Sequence, residues 1–236
     1  MTDFTLNELR SPDIRFVGNE RTPVIIIDRP LIDAAPLIQA ATHHPGFHLD
    51  RRLAYPGIRA QLPDDYVETL LPALIPLLCE VYEIPEEYES KLIHQVFSLI
   101  TTQPEDLSVL QRVPHFDALN AHYFATVHYL SPGAHAGTGI FRHRPTGFER
   151  ISEARYKAYV EAAESHMKAH GLPAAQYITS STDHYELIDE IEYAANRMVI
   201  YPGNLLHSGL ISPERDINPD PSRGRLTANL FIDFVE

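Results

Sequence analysis

The feature that most constrains the fold is a change of sequence pattern near Leu92. From that point, short runs rich in β-branched and aromatic residues alternate with segments that contain proline, glycine or serine. A run of this kind predicts a strand, and repeated runs predict an all-β core. The predicted strands lie at 93–101, 121–130, 139–143, 185–194, 198–201 and 226–235.

The segment before this core predicts a supporting layer. Residues 23–27 (Pro-Val-Ile-Ile-Ile) predict a buried strand, and the alanine-rich residues 31–41 predict a helix. Residues 66–82 carry apolar side chains at helical spacing, although two prolines inside them predict a kink or a division. Residues 55–63 contain proline and glycine and predict an irregular segment.

A helical pattern interrupts the β core. Ser152 is the predicted N-cap of this helix, and Gly171 followed by Pro173 is expected to end it. We expect the helix and the loop to Tyr185 to border a substrate entrance, because insertions on a rigid scaffold often carry specificity. A helix that only covers one wall of the core is the alternative.

These patterns together predict one domain, 1–236. Its first part, 1–92, is predicted to hold the N-terminal strand and the supporting helices. Its second part, 93–236, is predicted to be the β core, with a helical insertion at about 148–185.

Composition excludes several classes of partner. The 236 residues carry a net charge of −13, which argues against binding nucleic acid or an anionic membrane surface. The single cysteine, Cys79, allows no internal disulfide and fits a reducing compartment. No apolar signal core opens the sequence and no apolar stretch has bilayer length, so we expect a cytoplasmic protein.

Pro114-His115-Phe116-Asp117 is the strongest candidate for chemistry. If this segment is a strand, residues i and i+2 point to the same face, so His115 and Asp117 could bind one metal ion. His207 is the best candidate for a third ligand. Two histidines and one carboxylate make the facial triad of non-haem iron(II) oxygenases, which leaves open coordination positions.

A second His-x-Asp, formed by His48 and Asp50, shows how common this pattern is in a chain with 13 histidines. Two arginines and a Pro-Gly segment follow it, with no ladder of strands. We therefore predict that it is a surface or capping pair. His122 and His128 have the opposite strand parity to Tyr129 and are predicted not to bind metal, whereas His143 is predicted to be structural.

The order of motifs after His115 resembles the 2-oxoglutarate/iron(II) dioxygenase superfamily, and most closely its prolyl-hydroxylase-like branch. A strand that ends in Tyr129-Leu130 comes first, followed by the segment 136–141, which partly matches a Gly-Gly-x-Thr-x-Phe-like motif, with Gly139 in place of the threonine. Residues 197–203 then lead to His207, and Arg225-Leu226-Thr227 matches an Arg-x-Ser/Thr motif on the final strand. The resemblance covers roughly 94–235 and also 23–41.

The resemblance implies a double-stranded β-helix, the cupin-like jelly roll, within a mainly β fold with flanking helices. It implies Fe(II) as cofactor, held by His115, Asp117 and His207, and 2-oxoglutarate as co-substrate. The expected reaction hydroxylates a small molecule, an amino acid or a peptide, and it releases succinate and CO2.

The resemblance also implies which residues bind 2-oxoglutarate. Arg225 would bind its C5 carboxylate, because a buried carboxylate needs a charged and well-directed partner. Tyr129 would donate a further hydrogen bond, and Thr227 and Asn229 would contact co-substrate or substrate. Residues 211–224, which contain three prolines, are longer than in close relatives and predict a surface loop, so Arg223 is an alternative to Arg225.

Two other functions compete with this one. A non-catalytic cupin-like module that binds a metal or small ligand would keep the barrel but would not need Arg225. A non-oxidative cupin-type metalloenzyme, such as an isomerase, would commonly use more histidine ligands and would not depend on 2-oxoglutarate.

Overall fold

The computed structural model describes residues 4–7, 12–49 and 55–236. Most of the secondary structure in these ranges is β. The elements are β1 (Asp13–Val17), β2 (Thr22–Asp28), α1 (Ala35–Thr42), β3 (His48–Leu49), β4 (Gly57–Gln61), α2 (Asp64–Tyr82), β5 (Glu89–Ile100), β6 (Tyr123–Tyr129), β7 (Thr138–His143), α3 (Glu153–His170), β8 (Tyr185–Ile191), β9 (Arg197–Pro202), β10 (His207–Gly209), α4 (Pro213–Asp216) and β11 (Thr227–Val235).

Two antiparallel sheets face each other. The large sheet has the order β1-β2-β9-β6-β11-β5-β4-β3, and the small sheet has the order β10-β7-β8. A single bridge between His115 and His207 adds the His115 segment to the small sheet beside β10. Along the chain from β5, the large sheet takes β5, β6, β9 and β11, and the small sheet takes the His115 segment, the consecutive strands β7 and β8, and β10, which is the arrangement of a double-stranded β-helix. The predicted mainly β fold class, a jelly-roll core with flanking helices, is therefore confirmed.

Apolar side chains fill two layers around the large sheet. Its inner face, with the facing side chains of the small sheet, forms a cluster that includes Val127, Tyr129, Ile140, Val199 and Tyr201. Its outer face packs against α1 and α2, and this cluster contains Leu37, Leu70, Leu74, Phe97 and Phe124. Burial of these outer residues covers the face of the sheet that points away from the site.

α2 remains one helix through its two prolines. Pro72 and Pro76 are four residues apart and both are exposed, so their missing N–H groups lie on the solvent side, opposite the buried Leu70 and Leu74. The predicted division of this helix was therefore wrong.

A buried hydrogen-bond chain joins α2 to the sheet. The Asn196 side-chain N–H donates to the Leu31 carbonyl, so its Oδ1 accepts from His128 Nε2 at 2.9 Å. The other ring nitrogen, Nδ1, lies 2.9 Å from the hydroxyl of Tyr66 on α2 and accepts a hydrogen bond from it. Burial lowers the pKa of His128 to about 4, which matches a neutral ring.

Three local predictions need correction. Residues 57–61 form strand β4, because pairing with β5 outweighs the local Pro-Gly signal. The helix expected over 31–41 begins at Ala35. The segment 211–224 is more than a surface loop, since it contains α4 and the fully buried Asp216, which binds His135 and the N–H of Ala136.

Gly139, which departs from the motif, lies where a larger residue would require neighbouring side chains to shift. A Cβ there would be 2.6 Å from a methyl of Leu210 and 2.9 Å from a methyl of Leu187.

Within the described part of the chain, no helix is long and apolar enough to cross a membrane.

Candidate metal centre and co-substrate pocket

Three donor groups converge at one mouth of the barrel. The ring nitrogens of His115 and His207 and a carboxylate oxygen of Asp117 all lie within 4.8 Å of one another. His115 Nε2 is 3.8 Å from Asp117 Oδ1, and His207 Nε2 is 3.6 Å from Asp117 Oδ2. These distances exceed hydrogen-bond length, so each imidazole faces the carboxylate without bonding to it. The separation leaves space between the donors for an ion.

Backbone contacts, rather than a regular strand, align the donors. His115 and His207 exchange both backbone hydrogen bonds at 2.9 Å, and the N–H of Asp117 donates to the carbonyl of Gly203 at 2.6 Å. The segment thus makes one bridge and then bends, so it is not the regular strand that the i, i+2 argument assumed. The two side chains still face the same point.

The environment keeps the imidazoles neutral. His207 is 6% exposed, and burial lowers its pKa to about 4, opposed by the hydrogen bond that its Nδ1 donates to the Leu205 carbonyl. That bond leaves the lone pair of Nε2 for a metal. Partial burial and the nearby His207 also lower the pKa of His115, whereas burial raises the pKa of Asp117. Half of the His115 side chain, 51%, is exposed, so the site opens on that side.

Aromatic rings pack against His207 and against the segment that carries His115 and Asp117. The Tyr201 ring lies 4.6 Å from the His207 ring, and Tyr201 is 2% exposed. Phe116, which separates two of the donors in sequence, lies between them and α3, with ring distances of 6.0 Å to Tyr159 and 6.2 Å to Tyr156. The insertion therefore supports the donor segment. Its role as a substrate entrance stays a prediction.

Arg225, unlike Arg223, points into the barrel. Arg225 is 5% exposed, donates from Nε to the Ala136 carbonyl at 2.6 Å, and lies over the Tyr129 ring at 5.2 Å. Arg223 is exposed. None of the ion pairs among the described residues involves Arg225, although Asp216 is near enough for the guanidinium to lower its pKa. A largely unpaired buried cation results.

The other residues predicted to bind co-substrate share this face. Thr227 lies opposite Tyr129 in the sheet register, and its hydroxyl donates to Asn229 Oδ1 at 2.8 Å. The Tyr129 hydroxyl lies 2.7 Å from Thr138 Oγ1. Tyr201 connects the two parts of the site, because both Asp117 and Arg225 influence its pKa, which burial raises well above the usual value.

Sequence reasoning missed Arg59 and Tyr201. Arg59 lies on β4, where no strand was expected, and its charge acts on both His115 and Asp117. Tyr201 belongs to the strand that leads to His207, and that strand was the only available signal. His143 is buried against Thr146 and His184 and does not join the donors. His128 lies in the hydrogen-bond chain that joins α2 to the sheet, so it does not join them either.

Comparison with known proteins gives one family match and several distant structural matches. The model for a family of unknown function, DUF6445, matches residues 10–232. No curated protein matches the sequence. HygX from Streptomyces hygroscopicus, solved with nickel, 2-oxoglutarate and hygromycin B bound, is 12% identical with a TM-score of 0.43, over 93% of this chain and 87% of that chain. An N-substituted L-amino acid dioxygenase from Burkholderia ambifaria AMMD is 11% identical with a TM-score of 0.34, over 92% and 82%.

Proposed function

We propose that this chain, which belongs to the DUF6445 family of unknown function, is an iron(II)- and 2-oxoglutarate-dependent oxygenase. The observation that carries the proposal is the convergence of two imidazole nitrogens and one carboxylate in the barrel mouth. Its substrate would be a small molecule, an amino acid or a peptide. The finer relationship to the prolyl-hydroxylase-like branch stays a prediction.

The donor set fits iron(II) by its chemistry. Imidazole suits iron, and two histidines with one carboxylate on one side of an ion leave positions for other ligands. Neutral imidazoles and an ionised carboxylate are the forms that bind metal. The depressed pKa of His207 keeps that ring neutral, and a divalent cation would offset the burial that disfavours ionised Asp117.

The pocket beyond the donors fits the distal carboxylate of 2-oxoglutarate. Arg225 offers a buried charge, and its Nη groups can donate two parallel hydrogen bonds to a carboxylate. The Tyr129 hydroxyl can donate a hydrogen bond to the same carboxylate while it accepts one from the hydroxyl of Thr138. We assign Thr227 and Asn229 to the wall of this pocket, where their mutual hydrogen bond fixes both side chains.

When bound, iron and 2-oxoglutarate supply the oxidising chemistry, in which O2 is used, succinate and CO2 leave, and one oxygen atom goes to a C–H bond of the substrate. The chain positions the groups around that chemistry. Tyr201 holds the His207 ring, and Phe116, backed by α3, holds the segment that carries the other two donors.

The two rival functions predict different binding. A non-catalytic module would bind the metal without consuming 2-oxoglutarate, and a non-oxidative metalloenzyme would not need the co-substrate. The buried Arg225 without an ion-pair partner among the described residues favours the oxygenase, because a buried cation is costly unless an anion joins it.

Metal titration with single variants tests the proposal. His115→Ala, Asp117→Ala and His207→Ala should each remove most iron(II) binding, since only three protein donors converge among the described residues. The exposed His48 provides the control, and His48→Ala should bind iron normally. Anaerobic titration followed by succinate measurement in air decides the function. Normal iron affinity in the His207 variant would refute the site, and normal iron binding without succinate release would favour a rival.

A further inference from the structure

Arg59 is a second inward-facing arginine that lacks an acidic partner. Its guanidinium lies over the Tyr55 ring at 4.3 Å and 6.0 Å from the Phe231 ring, and its Nε is buried with no hydrogen-bond acceptor. None of the ion pairs in the described ranges includes it. The hydroxyls of Tyr55 and Ser98 are also buried, close enough to each other for Ser98 to act on the Tyr55 pKa, and neither has a hydrogen-bond partner of good geometry. Three unsatisfied donors thus lie in one part of the barrel.

The sheet register places this group beside the co-substrate pocket. Arg59 pairs with Ser98 on β5, Ser98 pairs with Thr227 on β11, and Thr227 pairs with Tyr129 on β6. Directly opposed residues share a face, so all four side chains point into the barrel. Arg59 is also close enough to His115 and Asp117 to act on their charge, whereas Arg225 acts on neither. The two arginines therefore serve different parts of the site.

We propose that Arg59, with the hydroxyls of Tyr55 and Ser98, binds a carboxylate of the substrate, so that the substrate is a carboxylic acid, which includes amino acids and peptides. This inference rests on the proposed function and adds the class of substrate. The distal carboxylate of 2-oxoglutarate is assigned to Arg225 and its other carboxylate to the metal, so neither needs Arg59.

Charge balance favours a singly charged group at this subsite. One guanidinium and two neutral hydroxyls compensate one negative charge, and the guanidinium fork matches the plane of a carboxylate. A dianion such as a phosphate monoester would leave an extra negative charge near Asp117, where like charges repel. The aromatic ring of Phe231 on the other side of Arg59 would contact the apolar part of the substrate.

Trifluoroacetate is a suitable probe for this subsite. The protein is loaded with Mn(II), a paramagnetic ion that takes imidazole and carboxylate ligands, and with saturating 2-oxoglutarate. Fluorine NMR then measures the relaxation of trifluoroacetate, which increases steeply as the probe approaches the metal. We expect saturable enhancement in the unaltered protein. Arg59→Gln should weaken probe affinity roughly tenfold or more, the usual effect of losing a hydrogen bond to a charged group, and Arg59→Lys should restore part of it.

The matched control is Arg21→Gln. Arg21 also lies over an aromatic ring, Phe16 at 5.1 Å, but it is exposed at a hairpin turn, so its loss should leave the enhancement unchanged. Equal enhancement in the Arg59 and Arg21 variants would overturn the proposal. So would a probe affinity that is lower with saturating 2-oxoglutarate than without it, or an Arg59→Gln variant that loses affinity for 2-oxoglutarate and not for the probe.

A second measurement separates this inference from the proposed function. In a nitrogen–proton correlation spectrum of the metal-free protein, the Arg59 side-chain N–H signal should shift on addition of trifluoroacetate. If Mn(II) fails to bind but this signal shifts, the oxygenase proposal fails and the anion subsite stands. An unshifted signal would overturn the subsite whatever the metal does.

Discussion

Replacement of Arg225 is the sharpest test of the co-substrate pocket. Arg225→Ala should weaken 2-oxoglutarate binding to the metal-loaded protein, because it removes the buried charge that faces the distal carboxylate. Arg223→Ala removes the same residue type two positions earlier, where the side chain is exposed. Comparison of the two variants therefore separates the effect of the buried position from the effect of removing one positive charge.

The expected size of the effect follows from the burial of Arg225. At 5% exposure the guanidinium is shielded from water, and truncating one partner of such a buried charged pair costs about 2–5 kcal/mol. That range is roughly 30-fold to 5000-fold in Kd. The Arg223 variant should change Kd by less than about fivefold, since exposed ion pairs contribute about 0–1 kcal/mol.

Arg225 also has a structural role, which the assay must separate. Its Nε donates to Ala136 and its Nη2 approaches the Gly137 carbonyl at 3.5 Å, so the variant leaves acceptors unsatisfied and should lower Tm. Anaerobic calorimetry of 2-oxoglutarate binding is therefore paired with iron titration. Retained iron affinity shows that the barrel mouth is intact. Equal effects of the two variants, or a larger effect from Arg223, would refute the assignment.

Two further predictions concern the supports of the site and of the sheet. Phe116→Ala should weaken iron(II) binding roughly tenfold, because Phe116 packs against α3 and loss of an outer support of metal ligands has an effect of that size. The exposed control Phe16→Ala should bind iron(II) normally. Equal iron affinities in the two variants would contradict the role of α3 as a support. His128 has a pKa of about 4 in the folded protein, whereas in the unfolded chain it takes up a proton below about pH 6.5, so the free energy of unfolding falls as pH drops from 7.5 to 4.5. His128→Gln should reduce that fall by about 2.5 kcal/mol, as measured by urea unfolding at both pH values. A fall of the same size in the variant would contradict the neutral buried ring.

The predictable part of this fold was the part where local pattern and tertiary pairing agree. The runs that became β5, β6 and β9 are apolar and β-branched, and each lies inside the large sheet. β4 could not be predicted, because its signal is a Pro-Gly dipeptide and its strand exists through pairing with β5. Arg59 was missed for the same reason, since a residue expected in a loop has no predicted facing.

The candidate donors show a different relation between sequence and structure. The i, i+2 argument predicted that the side chains of His115 and Asp117 face the same point, and they do, although the segment is not the regular strand that the argument assumed. What aligns them is the exchange of hydrogen bonds with His207 and Gly203, contacts between residues far apart in sequence. Asp216, expected on a surface loop, is buried because His135 and backbone N–H groups compensate its charge. Such partners are invisible to any local pattern.

The position of β11 in the large sheet affects the order of assembly during synthesis. β11 comes after every other strand in this sequence, yet it lies between β5 and β6, pairing with both. Until it emerges from the ribosome, those two strands keep open edges, and open edges are prone to aggregation. The segment that closes the sheet is also the one that brings in Arg225, Thr227 and Asn229. Closure of the barrel and completion of the proposed co-substrate pocket are therefore a single event in the folding of the nascent chain.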